Sequence, residues 1–362
     1  MRSIFLSLVT AAGLMAVTTG SGSQAADASA AKDTSKLGIT LSNSYAGNTW
    51  RQQMVKVFQA AADEAIGKHI IAKSKVVNAD ASAPQQSSQI ENMILEGWNA
   101  IVIDAASPSA INGSIDDACK QGITVVVFDS LATAPCAYQV AYDYVEAGRL
   151  PARFIADQLH GKGNVLVVRG LPGTQVDEDE YKGQMEIFGK FPDIKIVGTV
   201  NGNWTESIAN KEVSGILPSL PKIDAVVGQG GDSVGTYQAF KAAGRPIPVI
   251  TIGTRQEELA LWKDLDQSTP GGYATVASSS VPGVSSIAFW VAQQILAGRQ
   301  MPHVINVSLL EISKPDLDTW LKVTPVGAVA TPVYSRDWTA KLIDSVVDHT
   351  PAPASPGPQD AK

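Results

Sequence analysis

Polar and aromatic side chains follow the predicted strands of this 362-residue chain. In the first half of the chain they are hydroxyl, amide and carboxylate side chains: Ser44, Asn48, Asp80, Asp104, Asp129 and Asp143. In the second half they are a glycine-rich turn at residues 170–175 and the side chains of Trp204, Gln229, Arg255 and Ser278. Carboxylates accept hydrogen bonds from adjacent hydroxyls, amides donate and accept, and aromatic rings cover apolar C–H patches. The set therefore predicts a site for a polyhydroxylated molecule.

Two successive α/β patterns must position these residues. Short β-branched runs predict strands near residues 37–42, 75–79, 100–104, 124–128 and 138–142, and then near 164–169, 194–199, 224–228, 248–253 and 273–277. Helical patterns lie near residues 50–66, 84–96, 109–121, 177–189, 205–217, 233–243, 256–264 and 281–296. Strands joined by helical crossovers form parallel sheets with both faces covered, and ligands bind beyond the C-terminal ends of such strands. The chain is therefore predicted to be an α/β protein with two doubly wound parallel sheets.

One segment could instead carry catalysis. Residues 231–235, GDSVG, fit the G-x-S-x-G nucleophile elbow of serine hydrolases. A hydrolase also needs an acid and a histidine later in the chain, and only His303 and His349 follow Ser233. The four histidines form no cluster with cysteine, and the glycine-rich turn at 170–175 contains no lysine to hold a phosphate, so no metal or phosphate cofactor is predicted. A serine hydrolase is kept as a distant alternative to a binding protein that is not an enzyme.

Composition limits the class of protein further. The net charge is −7 and no run of Lys or Arg occurs, so a nucleic-acid-binding surface is not expected. Hydrophobic residues make up 44% of the chain and charged residues 17%, which is ordinary for a globular protein. The length is sufficient for two lobes that each bury a core.

Both ends of the chain differ from its middle. Arg2, an apolar stretch at residues 4–17 and small residues after it predict a secretory signal peptide at residues 1–25, with cleavage after Ala25 or as late as Ala30. A buried first helix of the mature fold is the alternative. At the other end, Pro, Ala and Ser are abundant in residues 346–362, which predicts a disordered tail.

The only two cysteines are Cys119 and Cys136. Export to an oxidising compartment would make them candidates for a disulfide. Each precedes a predicted strand, and neighbouring parallel strands would bring both to the same end of a sheet. Two free buried thiols are the alternative.

The order of several segments resembles the type I periplasmic solute-binding proteins of sugar ABC importers, which include ribose-binding protein. The similarity covers about residues 36–310 and is carried by AIVIDAASPSAI, ITVVVFDS, GNVLVVRGLPGT, AVVGQGGDSVGTYQAFKAAG and YATVAS in that order. It implies two α/β lobes joined by a three-segment hinge that close on a ligand. The N-terminal lobe would comprise residues 36–143 and 279–308, and the C-terminal lobe residues 144–278 and 309–345.

The resemblance also implies roles for individual residues. In the first lobe the positions that match ligand-binding residues of the family are Ser44, Asn48, Trp50, Arg51, Asp104 and Asp129. In the second lobe they are Glu180, Trp204, Gln229, Arg255 and Ser278, with Gly230 as an alternative to Gln229. Arg51 stands where relatives carry an aromatic residue, so it is expected to direct donors at ligand hydroxyls or at Asp129. Ser130 replaces an arginine of the family, which weakens any transfer of ligand identity.

Two positions reverse the charges of the family. Glu180 matches an arginine and Arg255 matches an aspartate, which suggests the hypothesis that the two form an ion pair across the cleft. Alternatively, Glu180 is one member of a solvated acidic helix start, VDEDEYK.

The function implied by the resemblance is capture of a monosaccharide or polyol in the periplasm and delivery to ABC permease subunits, by a protein that acts as a monomer. A sensory protein that feeds a chemoreceptor or kinase is an alternative on the same fold. A sugar-responsive repressor also shares the fold, but the predicted signal peptide occupies the place of its DNA-binding headpiece. The identity of the sugar, polyol or amino sugar stays open.

Overall fold

A computed structural model describes residues 31–358 of the chain. The predicted signal peptide, with either cleavage site, lies outside these residues. Within residues 31–358, no helix combines the length and the apolar character needed to cross a membrane.

The first part of the chain alternates strands and helices as the sequence predicts. Its elements are β1 (Gly38–Asn43), α1 (Thr49–Gly67), β2 (Lys73–Asn78), α2 (Ala83–Leu95), β3 (Ala100–Asp104), α3 (Asn112–Lys120), β4 (Thr124–Phe128) and β5 (Tyr138–Ala141). All neighbouring pairs among these strands are parallel. Every residue of β1 and β3 is buried, because helices cover both faces of the sheet.

The second part of the chain builds another parallel sheet, with the strand order β7-β6-β8-β9. Its elements are α4 (Tyr144–Gln158), β6 (Lys162–Arg169), α5 (Gln175–Phe188), β7 (Asp193–Asn201), α6 (Glu206–Ile216), β8 (Ala225–Val227), α7 (Ser233–Ala242), β9 (Val249–Ile250) and α8 (Gln256–Ser268). The predicted helices here do not include α4. Pro151 lies inside that helix and removes one backbone donor, which makes the segment a weak helix candidate from sequence. The Asp143 carboxylate caps α4 by accepting from the Glu146 N–H at 2.8 Å.

The last part of the chain returns to the first sheet. Its elements are β10 (Ala277–Ser279), α9 (Val284–Leu296), β11 (Val304–Asn306), β12 (Leu310–Ile312), α10 (Leu317–Val323) and α11 (Arg336–Val347). Strand β11 pairs parallel with β5, which completes the six-stranded order β11-β5-β4-β3-β1-β2. Helix α9 is almost wholly buried and packs on α1, where Phe58 and Phe289 meet edge to face at 5.4 Å. The predicted parallel α/β fold with two sheets is confirmed.

The predicted strand near residues 273–277 overlaps β10 only at Ala277, which also forms an isolated parallel bridge with Ile252. Strand β10 begins at Ala277 and pairs antiparallel with β12. Before it, side chains replace a regular ladder beside β9: the Tyr273 hydroxyl donates to Pro248 O at 2.7 Å and accepts from Ile250 N at 2.8 Å. The Thr275 hydroxyl donates to Ile250 O at 2.7 Å. These side-chain bonds occupy the backbone groups that strand pairing would use.

Two further features concern the candidate disulfide and the tail. Cys119 and Cys136 are joined in a disulfide, with their Cα atoms 6.4 Å apart, linking the end of α3 to the segment before β5. The composition of residues 346–362 predicts disorder, but α11 continues to Val347 and the chain then packs back on that helix. The indole N–H of Trp338 donates to Ala354 O at 2.9 Å.

Candidate functional site

A cavity lies where the C-terminal ends of the strands of both sheets meet. The empty space inside it amounts to ≈ 840 Å³, which includes space open to solvent. It is lined by all but two of the residues that the family resemblance implies: Asn48, Trp50, Arg51, Asp129, Glu180, Trp204, Gln229, Arg255 and Ser278. Ser44 and Asp104 are buried beside the cavity and do not line it.

The start of α1 supplies the first wall of the cavity. The Asn48 side chain caps α1, accepting from the Arg51 N–H at 2.9 Å, and its amide donates to the Tyr45 hydroxyl at 2.7 Å. Trp50 is half-buried, and its indole N–H donates to Ser280 O at 3.0 Å. The cap therefore fixes the first turn of α1, and with it the direction of Arg51.

Arg51 is the charged centre of this wall. Its side chain is 5% exposed, and its guanidinium contacts the carboxylates of both Asp104 and Asp129, the latter at 3.4 Å. The rings of Tyr45 and Trp50 lie 5.3 and 5.5 Å from the guanidinium carbon. Asp104 is completely buried, and it contacts Arg51 without lining the cavity.

Asp129 follows β4 with φ of 56°, a left-handed conformation that Asp tolerates better than most residues. It accepts a short hydrogen bond from the Tyr144 hydroxyl, and it is 4% exposed. Burial raises the pKa of Asp129, and the charge of Arg51 opposes that rise. The carboxylate is thus held at the cavity wall by neighbours from two elements.

The opposite wall is built on the second sheet around Trp204. The Trp204 ring packs against Gly170 so closely that a Cβ atom there would lie 2.2 Å from the indole. Arg255 donates to Trp204 O at 2.8 Å. Gln229 accepts from Gly170 N at 2.9 Å and donates to Asp177 O at 3.1 Å, so its amide mainly supports this wall.

Glu180 and Arg255 do not form the expected ion pair across the cleft. Glu180 lies in α5 and Arg255 directly precedes α8, and both helices belong to the part of the chain that builds the second sheet, so the two residues lie on the same side of the cavity. Among residues 31–358, the Glu180 carboxylate has neither a hydrogen bond nor an ion pair. Burial raises the pKa of Glu180 well above its usual value, and the negative charges of Asp232, Asp177 and Asp129 raise it further. Glu180 is not part of a solvated acidic face either, since it lines the cavity.

Glu258 is a buried residue in the first turn of α8 that also lines the cavity, and it is not among the residues predicted from the sequence. Its carboxylate accepts from Gly231 N at 2.8 Å, from the Ser233 hydroxyl at 2.8 Å and from Arg255 N at 3.1 Å. The only feature of the sequence that indicates a role for Glu258 is its position as an acidic residue in the first turn of a helix that follows a strand. The hydrogen bond from Ser233 to Glu258 argues against the hydrolase alternative, because the serine of the GDSVG segment is fully buried and donates to a carboxylate. His303 stacks instead on Tyr138, at the edge of the first sheet.

A pH dependence of stability follows from Asp232, which lies at the start of α7. Burial and the charge of Glu258 raise its pKa from 3.8 to about 7, although Gln229 N donates to it and Arg255 is nearby. Between these two values the folded protein holds a proton that the unfolded chain has lost. The free energy of unfolding should therefore fall as pH rises, by about 1.4 kcal/mol per pH unit for one proton.

Urea unfolding of the unliganded protein at pH 5 and pH 7 measures this effect. We expect a loss of about 2 kcal/mol from Asp232 across the two units, and a shallower dependence in Asp232→Asn, which cannot titrate. Equal pH slopes in the two proteins would show that Asp232 titrates near its ordinary pKa.

Comparisons with known proteins agree with the fold. The family profile described as periplasmic binding protein domain matches residues 39–300. A solved ABC transporter solute binding protein from Thermobispora bispora DSM 43833 is 37% identical, with a TM-score of 0.84, covering 89% of this chain and 99% of that one. The xylitol-binding protein of Mycolicibacterium smegmatis is 28% identical over 67% of this chain and 68% of that protein. The ribose import binding protein of Bacillus subtilis is 27% identical over 66% of this chain and 77% of that protein.

Proposed function

The chain belongs to the family of periplasmic binding proteins, and on that premise we propose that it captures a monosaccharide or polyol and delivers it to an ABC importer. The observation that carries the proposal is the cavity between the two sheets, with carboxylates, guanidinium groups and two tryptophans on its walls. These groups match what a polyhydroxylated ligand offers: hydroxyls that donate and accept, and apolar C–H faces. The names of the relatives, which bind xylitol or ribose, point to the same ligand class.

Capture would proceed by closure of two lobes, with the boundaries given in the sequence analysis. The chain passes between the two sheets after β5, and it returns to the first sheet with α9 and β11 before reaching β12. Connections at several places allow a hinge, and a ligand that contacts both walls favours the closed form. The ligand would bridge Arg51 and Asp129 on one wall and Trp204 and Arg255 on the other.

The route of the protein in the cell is part of the same proposal. Export through the predicted signal peptide would bring the chain to the periplasm, where ABC permease subunits would receive the closed form from a monomer. The Bacillus subtilis relative is an import protein, which favours transport over the sensory alternative. We propose no catalytic step, because the serine of the GDSVG segment is buried against Glu258.

A thermal-shift screen over pentoses, hexoses, alditols, cyclitols and amino sugars tests the proposal. A micromolar ligand contributes about −8 kcal/mol of binding free energy, and at one hundred times its Kd it stabilises the folded state by about 2.7 kcal/mol. We expect at least one compound to raise the Tm by about 3–6 °C. Amino acids and dicarboxylates serve as the control set. A screen in which only that set raises the Tm would contradict the proposal.

A further inference from the structure

Glu180 occupies a position in the cavity that the fold holds firmly. Its helix α5 packs on α4 with backbone against backbone at two glycines. A Cβ atom on Gly148 would lie 1.9 Å from Glu180 O, and one on Gly183 would lie 2.0 Å from Val145 O. Because the two helices cannot separate or rotate without losing this contact, the Glu180 carboxylate is presented to the cavity from a rigid support.

The other charged side chains of the cavity wall have partners of opposite sign or suitable donors. Arg51 contacts two carboxylates, as described above. Glu258 accepts three hydrogen bonds from the protein. Arg255 donates to Trp204 O at 2.8 Å, and its charge opposes the rise in the pKa of Asp232.

Glu180 has no such compensation. The charged groups that act on it are the carboxylates of Asp232, Asp177 and Asp129, all of the same sign as its own. Of these three, Asp177 pairs with Arg169 at 2.6 Å. An ionised Glu180 is therefore repelled by its surroundings, and a bound cation would relieve that repulsion.

We propose that the cavity binds a sugar or polyol that carries a protonated amino group, and that Glu180 is the carboxylate that receives the ammonium. The inference rests on the proposed function and narrows its ligand class. A ligand ammonium would supply the missing positive charge and form a charge-assisted hydrogen bond, which is about twice as strong as a neutral one. The faces of Trp50 and Trp204, which line the same cavity, add cation–π attraction. A ligand carboxylate would instead add a like charge to a wall rich in acids.

Matched sets of ligands test the charge preference directly. Each set keeps one carbon skeleton and changes one group: glucamine, glucitol and gluconate, and galactosamine, galactose and galacturonate. Their affinities are measured by isothermal titration calorimetry at pH 7 with the wild-type protein, Glu180→Gln and Glu178→Gln. Glu178 is the matched control, because it lies on the same helix, is 60% exposed and pairs with Arg169 outside the cavity. Circular dichroism and the Tm of each variant establish that it is folded.

We expect the amino member to bind at least about tenfold more tightly than the neutral member in a set that binds, and the acid to bind weakest. Glu180→Gln should bring the ratio of the two affinities, amino member to neutral member, close to one, whereas Glu178→Gln should leave that ratio as it is in the wild type. Tighter binding of the neutral or acidic member in every set, or a preference that persists in Glu180→Gln, would overturn the inference and leave the proposed function standing. Absence of binding by these sets together with a negative polyol screen would overturn both.

Discussion

Replacement of Arg51 by methionine is expected to lower the free energy of unfolding of the unliganded protein by about 3–5 kcal/mol. The side chain of Arg51 is almost fully buried and contacts Asp104 and Asp129, which are themselves buried. Methionine fills much of the space but leaves both carboxylates without their cation. Breaking a buried ion pair costs far more than breaking one at the surface, because the remaining charge has lost water and partner together. Urea unfolding at pH 7, with an unchanged m-value, measures the loss.

Two variants control for this interpretation. Arg153→Met removes an arginine that pairs with Glu146 at the surface, where both side chains are nearly half exposed, and it should cost at most about 1 kcal/mol. The double variant Arg51→Met/Asp104→Asn removes the completely buried charge as well and should recover part of the loss. If Arg51→Met is no more destabilising than Arg153→Met, the buried cluster does not contribute to folding as the contacts indicate.

The fold could be predicted from sequence wherever the chain uses local patterns. Runs of β-branched residues mark β3 and β4 because a strand that is covered on both faces is mostly apolar. The helix α4 could not be predicted because it contains Pro151, which has no backbone N–H to donate and usually interrupts a helix. The end of the second sheet depends on hydroxyls of Tyr273 and Thr275 that bond to backbone distant in sequence. No local pattern reports such bonds.

The convergence of the predicted residues on one cavity could be predicted for a geometric reason. The same reasoning could not predict which of these residues line the cavity or which of them contact each other. Parallel strands bring their C-terminal ends together, so polar residues after those ends converge on one cavity. The position of a residue in the sequence does not indicate whether its side chain lines the cavity or is buried behind another side chain. Asp104 and Arg51 both follow the rule, yet the arginine lies between Asp104 and the cavity. The predicted ion pair between Glu180 and Arg255 is wrong because it was inferred only from their charges, which are opposite to those of the family at the same positions. Such a reversal does not establish that two residues are in contact.

The contacts of Asp129 indicate that its charge matters more for ligand affinity than for the stability of the unliganded protein. Its carboxylate lines the cavity, while Arg51 keeps Asp104 as a second partner when Asp129 loses its charge. Asparagine also tolerates the left-handed backbone conformation at this position. The change Asp129→Asn should therefore alter the stability of the unliganded protein much less than Arg51→Met does, and its main effect should fall on the ligand.

Asp129→Asn is expected to weaken binding of the best ligand from the polyol screen by about a hundredfold. A carboxylate that accepts from two ligand hydroxyls contributes about 1.5–3 kcal/mol through each charge-assisted bond, and an amide keeps only part of this. A loss of about 2.7 kcal/mol corresponds to a hundredfold rise in Kd, which isothermal titration calorimetry resolves. Asp80→Asn is the matched control, since Asp80 also follows a strand of the first sheet but is exposed outside the cavity. Full affinity in Asp129→Asn would mean that the Asp129 carboxylate does not accept hydrogen bonds from the ligand hydroxyls, and the proposed role of Asp129 in binding would be wrong.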